Sequence, residues 1–353
     1  MSADPSRPLL VDVHSHIYPT AFVEHLRRRP RPPAIVSIEG LERFQLFPGD
    51  AGVPFTEDFH DVAAKIRYMD DSGIGHSVLS VGNPWLDLDG GPGSVALAQT
   101  INRDLLDLVA EHPDRLSAMC LLPNHDVAAV VRCVEELATD GRAVGVVTGT
   151  TICGLDLDHP ELDPVWSSLA GAGLPVLVHP RSGLASNVVR GQGQALTLAL
   201  SFPFETTVAI ARILVSSVLR RHPGLQVIAS HGGGALPYLY GRLTRAVQVD
   251  GESDERARRL VNGRPPDSLF MDSILFSGPA LEFCVSVVGH RNVVFGTDHP
   301  FPIADAASSL SDIRAVLVDQ PDRLADIMGH NAVRLFGLER RGVVKGLAAP
   351  VAP

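Results

Sequence analysis

The stretch LLVDVHSH, residues 9–16, joins a short apolar run to two histidines that are two residues apart. Side chains along a strand alternate between its faces, so His14 and His16 are expected to point the same way at the end of a buried strand. Two imidazoles in that arrangement can bind one metal ion. The alternative is a polar strand end with two solvated histidines. Residues elsewhere in the chain have to distinguish between these two interpretations.

Seven further β-branched runs follow this one, and helical patterns lie between them. Most runs are almost continuously apolar, which is typical of parallel strands buried on both faces. Eight strand–helix repeats predict an α/β fold, a (β/α)8 TIM-type barrel. The predicted strands are Leu9–His14, His76–Asn83, Leu116–Pro123, Ala143–Gly149, Pro175–Pro180, Gln226–His231, Ser268–Asp272 and Val293–Asp298. The predicted helices include Asp58–Ser72, Ser94–His112, Asp126–Thr139, Pro160–Ala172, Pro203–Arg221 and Asp322–Phe336.

The length of 353 residues fits one barrel with an insertion, so we expect a single domain over residues 1–353. The segment 18–57, between strand one and its helix, is rich in proline and arginine. A connection this long is uncommon as a plain loop. Because it leaves the catalytic face of a barrel, we interpret it as a lid-like insertion; the alternative is a mobile surface excursion.

The composition narrows the class of protein. With 45% hydrophobic and 20% charged residues the chain can build a large core, and its net charge of −10 argues against nucleic-acid and anionic-membrane partners. The four cysteines form no CxxC pair. There is no run of 18 apolar residues, and residues 1–8 lack the apolar stretch that a signal peptide would show. We therefore expect a soluble cytoplasmic protein.

Metal-binding residue types stand at the ends of four predicted strands. Strand one ends in His14 and His16, strand five in His179, strand six in His231 and strand eight in Asp298. The carboxyl ends of barrel strands share one mouth, where barrel active sites lie. Imidazole and carboxylate suit Zn²⁺, with Mn²⁺ as an alternative. We predict His14, His16, His179 and Asp298 as ligands and His231 as an acid/base or water-orienting group.

Longer segments around these residues resemble a known group. The layout of histidines and aspartate resembles the amidohydrolase superfamily, and three segments resemble its aminocarboxymuconate-semialdehyde decarboxylase branch, with a likeness running from about residue 11 to 338. These segments are SFPFETTVAIA (201–211), SHGGGALP (230–237) followed by Gly241-Arg242, and GTDHPF (296–301). Within the branch, GNPWLD (82–87) and His299 resemble isoorotate (uracil-5-carboxylate) decarboxylases.

The resemblance implies non-oxidative C–C bond cleavage without an organic cofactor. It implies that the substrate carboxylate and a neighbouring ring oxygen chelate the zinc, that Asp298 carries a proton to the ring carbon, and that His231 positions it or relays the proton. It also implies that Arg242 binds a substrate carboxylate in the neighbouring subunit's pocket, and hence a homodimer. Two-metal relatives use a lysine on strand four; here lysines occur only at positions 65 and 345, so we expect one metal per subunit.

Two further residues have two interpretations each. Asn83 can form hydrogen bonds with the amide groups of a substrate ring, or it can form a turn before Pro84. Phe301 can stack on a planar ring, or pack in the core. Arg43 is the nearest candidate for an arginine that aminocarboxymuconate enzymes carry in the strand-one insertion, but its surroundings match poorly, which disfavours a muconate substrate.

These observations favour a zinc-dependent decarboxylase of a planar aromatic or heteroaromatic acid, with isoorotate first. Hydroxybenzoates offer the same chelating pair of oxygens and come second, and aminocarboxymuconate semialdehyde comes third. A metal-dependent lactone or amide hydrolase is the alternative from another class, because the same residues can activate water. A barrel without catalytic activity is disfavoured, since every candidate ligand is present.

Overall fold

A computed structural model describes residues 9–343 apart from 87–90, 182, 185–188, 190–192, 252 and 254–263. Eight parallel strands form one sheet in the order in which the chain supplies them, which confirms the predicted barrel. Each of the eight predicted strands overlaps one of them, and seven contain it fully; the first observed strand extends to His16, two residues beyond the predicted end. The eight observed strands are β1 (Val11–His16), β5 (His76–Ser80), β6 (Leu116–Leu121), β7 (Gly145–Thr148), β10 (Val176–Val178), β11 (Val227–Ala229), β12 (Leu269–Asp272) and β13 (Val293–Val294).

The barrel closes where β13 returns to β1. The backbone N–H of Val13 donates to the carbonyl of Phe295 (2.9 Å), and that of Asp298 donates to the carbonyl of His14 (2.8 Å). The strand residues are buried on both faces, which explains why the sequence shows apolar runs rather than alternation. Closure brings the ends of the first and last strands side by side, and both ends carry predicted ligands.

Helices surround the barrel, and several begin at a capping aspartate. The Asp126 carboxylate accepts from the N–H of Ala129 (2.7 Å). The helix predicted from Asp58 begins later, at Val62, and its cap is Asp61, which accepts from the N–H of Ala63 (2.7 Å). The helices are α1 (Thr20–Arg28), α2 (Val62–Ser72), α3 (Gly93–Ala110), α4 (Val127–Asp140), α5 (Asp163–Ala172), α6 (Phe202–Val215), α7 (Val218–Arg221), α8 (Leu236–Val249), α9 (Gly278–Val288), α10 (Ala306–Val316), α11 (Pro321–Ala325) and α12 (Asn331–Phe336).

Two predicted helices are interrupted. The helix predicted over Pro203–Arg221 breaks into α6 and α7 at Ser217, whose φ of 62° lies in the left-handed region. The helix predicted over Asp322–Phe336 consists of α11, a π-helical turn at Asp326–His330, and α12. A second π-helical turn, Thr197–Ser201, precedes α6. Side-chain periodicity does not report such changes in backbone geometry, because the apolar pattern continues through them.

The insertion 18–57 is ordered. It contains α1 and a three-stranded antiparallel sheet of β2 (Ala34–Ile38), β3 (Leu41–Gln45) and β4 (Val53–Pro54). The buried Asp50 carboxylate accepts a hydrogen bond from the Gln194 amide (2.6 Å), which ties the insertion to the segment before α6. A small hairpin of β8 (Thr151–Ile152) and β9 (Leu155–Asp156) follows β7.

One continuous helical stretch, Thr197–Val215, is long and apolar enough to cross a membrane by length and composition alone. It includes α6, whose side chains of Ile210 and Ile213 lie fully buried in the core of the barrel. Its apolar character on the inner side is therefore explained by barrel packing. On the outer side, Phe204 and Val208 are exposed.

Candidate metal-dependent active site

Three histidines present the same nitrogen to one point at the mouth of the barrel. His14 and His16 lie at the end of β1, and His179 directly follows β10. The Nε2 atoms of His14 and His16 are 3.2 Å apart, and the ring of His179 lies 5.1 Å from that of His14 and 5.4 Å from that of His16. All three rings are buried. His14 and His16, two residues apart in the sequence, therefore point the same way, because both imidazoles lie on one face of the strand.

A partner on the other ring nitrogen, Nδ1, orients each of these imidazoles. A ring whose Nδ1–H is engaged in this way leaves the Nε2 lone pair available to a metal. The partners of Nδ1 in His14, His16 and His179 are the Asp272 carboxylate (2.7 Å), the Val81 carbonyl (3.2 Å) and the Pro180 carbonyl (2.9 Å), respectively.

The Asp298 carboxylate joins the histidines from the end of β13. Its Oδ1 lies 3.2 Å from Nε2 of His16 and 3.6 Å from Nε2 of His14. Its Oδ2 lies 3.7 Å from Nε2 of His231, and Nδ1 of His231 is buried with no hydrogen-bond partner among the described residues. Asp298 and His231 have φ values of 63° and 54°, a strained conformation that non-glycine residues adopt mostly at functional sites.

The donor set fits a single divalent metal ion. One ligand atom from each of His14, His179, His231 and Asp298 lies within 4.8 Å of the others, and Nε2 of His16 lies beside this group. Nε2 of His179 is buried and lacks a hydrogen-bond partner within the described part of the chain. Leaving a buried polar atom unpaired costs about 1–3 kcal/mol, and coordination removes that cost. Imidazole and carboxylate donors suit Zn²⁺ and Mn²⁺.

The electrostatics keep His16, His179 and Asp298 in the protonation states that bind metals, whereas at His14 the lowering effect of burial is outweighed by the Asp272 carboxylate, which raises the pKa. Burial lowers the pKa of His16 to about 4 and that of His179 well below its ordinary value, so both rings are neutral at pH 7. Burial alone would raise the pKa of Asp298, but the neighbouring rings of His16, His231 and His14 hold it well below its usual range. A neutral imidazole and an ionised carboxylate are the forms that coordinate metals.

Asp272 is a site residue that the sequence reasoning missed. It ends β12, is fully buried, and in addition to His14 accepts hydrogen bonds from the backbone N–H groups of His231 and Gly232 (both 2.8 Å). One carboxylate thus orients a predicted ligand and the turn that carries His231. The signal was present in the sequence, because an aspartate at the end of strand seven stands in the same relative position as the predicted ligands.

Three residues of the site, His179, His231 and Asp298, line a cavity of about 360 Å³, whereas His14 and His16 lie buried behind them. Asn83 and Phe301 line it, as the interpretation of both as substrate contacts requires, and the insertion contributes Leu46. Oδ1 of Asn83 is buried and finds no hydrogen-bond partner among the described residues. The remaining lining residues are mainly apolar and include Leu198, Phe202, Leu275, Phe276 and Ile303.

The predicted arginines do not reach this cavity within one chain. Arg242 lies exposed on α8 and is not among the described lining residues. Arg43 folds back on its own hairpin, where its guanidinium donates to the carbonyls of Ala51 (2.7 Å) and Gly52 (2.6 Å). No described lining residue of the cavity is a lysine or an arginine.

The comparisons with known proteins agree with this geometry. The model of the amidohydrolase family matches residues 11–338. The chain belongs to the amidohydrolase family. This amidohydrolase is 24% identical to the 2-amino-3-carboxymuconate-6-semialdehyde decarboxylase of Dictyostelium discoideum, over 94% of this chain and 93% of the relative. It is 29% identical to the gamma-resorcylate decarboxylase of Rhodococcus jostii (strain RHA1), over 80% and 89%.

Among solved structures, this amidohydrolase is similar to the apo form of the Metarhizium anisopliae IDCase, an isoorotate decarboxylase. The two share 28% sequence identity and superpose with a TM-score of 0.87 over 95% of this chain and 98% of the other. The resemblance to the aminocarboxymuconate-semialdehyde decarboxylase branch is thereby confirmed.

Proposed function

We propose that this amidohydrolase is a metal-dependent, non-oxidative decarboxylase of a planar aromatic or heteroaromatic carboxylic acid, with one Zn²⁺ or Mn²⁺ per subunit. The observation that supports the proposal is that Asp298 and three histidines held at Nδ1 meet at the mouth of the barrel, beside a largely apolar cavity. The named relatives support the reaction type, since both curated ones are decarboxylases.

His14, His16, His179 and Asp298 would hold the metal, and a bound metal would fix the substrate carboxylate and polarise the neighbouring ring oxygen. Asp298 then delivers a proton to the ring carbon that bears the carboxylate. The bond from that carbon to the carboxylate breaks, its electron pair returns to the ring, and CO2 leaves. His231, whose Nε2 faces Oδ2 of Asp298 at 3.7 Å, supplies the proton to that carboxylate.

Isoorotate is the first substrate candidate. Oδ1 of Asn83 is a buried acceptor that lines the cavity and has no partner in the described part of the chain, so it suits a ring N–H donor. Phe301 lies beside His16, with ring centroids 5.5 Å apart, where it can stack on a planar ring bound at the metal.

Hydroxybenzoates are the second candidate, because most of the cavity wall is hydrocarbon. Leu198, Phe202 and Leu275 offer no hydrogen bonds to ring amides but pack well against a benzene ring. Aminocarboxymuconate semialdehyde comes third. Arg43, the nearest candidate for the arginine that aminocarboxymuconate enzymes carry in the strand-one insertion, is engaged with backbone carbonyls.

The deciding experiment measures CO2 and the ring product from isoorotate, 2,6-dihydroxybenzoate and 6-methylsalicylate, each with and without a chelator. We expect metal-dependent formation of uracil and CO2 from isoorotate. The variant Asn83→Leu is expected to lower kcat/KM about tenfold for isoorotate, through the lost acceptor, and much less for the benzoates. Ring opening of a lactone or amide without CO2 from any acid would replace the proposal with a hydrolase.

We propose that the enzyme is a homodimer in which Arg242 of one subunit reaches the cavity of the other. Arg242 is exposed on α8, and exposed apolar side chains lie nearby on α6, α8 and α9. They include Tyr238, which is 76% exposed and whose ring lies 6.4 Å from that of Phe283. An exposed apolar face of this kind is typical of a protein–protein contact.

A complementation experiment tests the action of Arg242 across subunits. We expect Arg242→Ala and Asp298→Ala each to lose most activity, and their mixture, after subunit exchange, to recover about a quarter of it. The recovery arises because half of the subunits pair as heterodimers, and in each heterodimer one site has both residues intact. No recovery in a mixture shown by sedimentation to have exchanged subunits would place Arg242 in its own subunit's site or outside the reaction.

A further inference from the structure

Lys65 is a buried lysine directly behind the metal site that the mechanism above does not use. It lies on α2 with 0% of its surface exposed. Its Nζ donates to Oγ of Ser15 (2.9 Å), to Nδ1 of His299 (2.5 Å) and to the carbonyl of His299 (3.4 Å). A buried lysine requires this kind of compensation, since an unpaired ammonium is costly in the protein interior.

The groups that Lys65 contacts belong to the two segments that carry the metal ligands. Ser15 stands between His14 and His16, and His299 follows Asp298. The same two segments also bond to each other, because the carbonyl of His299 accepts from Oγ of Ser15 (3.2 Å) and from the backbone N–H of His16 (2.7 Å). Lys65 therefore sits at the junction of β1 and the turn after β13.

A buried carboxylate binds the same two segments from the other side. Asp12 accepts from Oγ1 of Thr297 (2.7 Å) and from the backbone N–H groups of Thr297 and His14 (both 3.2 Å). The His299 ring is also fixed, because it stacks on Tyr68 at a centroid distance of 3.6 Å. His299 is thus not a lining residue of the cavity but part of the support behind it.

We propose that Lys65 is a positioning residue of the metal centre, which clamps the 14–16 and 298–299 segments together and so holds the Asp298 carboxylate against His16. Asp298 needs such support because its φ of 63° is unfavourable for an aspartate, and a strained residue persists only where its surroundings fix it. Lys65 touches neither the cavity nor the donor atoms described above, so it acts through Ser15 and His299.

The test is a titration of the metal-free protein with Mn²⁺, followed by electron paramagnetic resonance, for wild type and Lys65→Met. Methionine keeps the length and apolar stem of lysine but removes its three donors. We expect the Mn²⁺ affinity to fall about tenfold or more, as for other residues that orient metal ligands. We also expect kcat to fall while KM changes by less than about threefold. Only this catalytic part of the proposal rests on the proposed function.

Met69→Ala is the matched control. Met69 lies one turn further along α2, is fully buried and packs in the hydrophobic core. We expect this substitution to lower the melting temperature without changing Mn²⁺ affinity or kcat. If Lys65→Met behaves in the same way, with a lower melting temperature and wild-type Mn²⁺ affinity, Lys65 is a structural residue and the proposal is wrong.

Ser15→Ala provides a second, milder variant in case Lys65→Met does not fold. It removes only the hydroxyl that links Lys65 to the ligand segment, and we expect a threefold to tenfold loss of Mn²⁺ affinity. Wild-type affinity in Ser15→Ala would overturn the proposal on its own. Failure of the wild-type protein to decarboxylate any acid would instead overturn the proposed function, and the Mn²⁺ titrations would still decide the role of Lys65.

Discussion

Asp298→Ala lowers turnover at least about a thousandfold while the barrel stays folded. The variant loses both a metal ligand and the group that delivers the proton, and general acid–base catalysis alone contributes roughly 10²–10⁴-fold. Truncation to alanine removes a carboxylate that lies 3.2 Å from His16. The measurement is kcat on the best acid of the panel, with circular dichroism to confirm the fold.

Asp305→Ala is the control for that variant, because Asp305 lies shortly after Asp298 in the chain but has a structural role. Its carboxylate accepts from the N–H of Ser308 (2.9 Å) as the cap of α10 and does not line the cavity. We expect it to cost about 1 kcal/mol of stability and to leave kcat within a factor of two. Wild-type turnover in Asp298→Ala would show that the proton comes from another group and that the ligand set is wrong.

Removal of the metal by a chelator abolishes decarboxylation and lowers the melting temperature. A ligand present at 1,000 times its dissociation constant stabilises the folded state by about 4 kcal/mol, which corresponds to roughly 5 °C for a chain of this length. Without the metal, buried ligand atoms such as Nε2 of His179 also have no hydrogen-bond partner among the described residues. Differential scanning calorimetry and CO2 release are measured on the same samples.

Reconstitution identifies the metal. Zn²⁺ and Mn²⁺ are each expected to restore both the melting temperature and the activity, whereas Mg²⁺ and Ca²⁺ are expected to restore neither, since histidine-rich sites bind these hard cations poorly. The cation that gives the higher kcat at full occupancy is the working metal. Equal turnover before and after chelation, with the metal content shown to be zero, would contradict a metal-dependent reaction.

The barrel and the ligand cluster were readable from the sequence because both depend on local patterns. Apolar runs such as 175–178 and 227–229 identified strands buried on both faces, and a histidine follows each run within two residues. The superposition of those strand ends follows from the geometry of any parallel barrel. Hence His14, His16, His179, His231 and Asp298 could be placed together without knowing a single contact between them.

The residues that orient the cluster could not be found in this way. Asp272 meets His14 across 258 residues of chain, and Lys65 meets His299 across 234. Such pairs depend on strand register, barrel closure and the angle at which α2 packs. An aspartate at the end of a strand or a lysine on a helix looks the same in the sequence whether it is solvated or buried. The strands of the insertion 18–57 were not predicted either, since they are short and form a small sheet of their own, separate from the barrel.

By itself, therefore, the sequence determined the barrel, the mouth at which its chemistry lies, and the donor atoms that meet there. Only the tertiary structure decided which carboxylate orients His14, which lysine contacts His299, that Asn83 and Phe301 face the cavity, and that Arg242 does not within one chain. The physical reason is that periodicity and strand ends are encoded by neighbouring residues. Burial, pairing and side-chain direction are instead fixed by partners that the fold brings from distant parts of the chain.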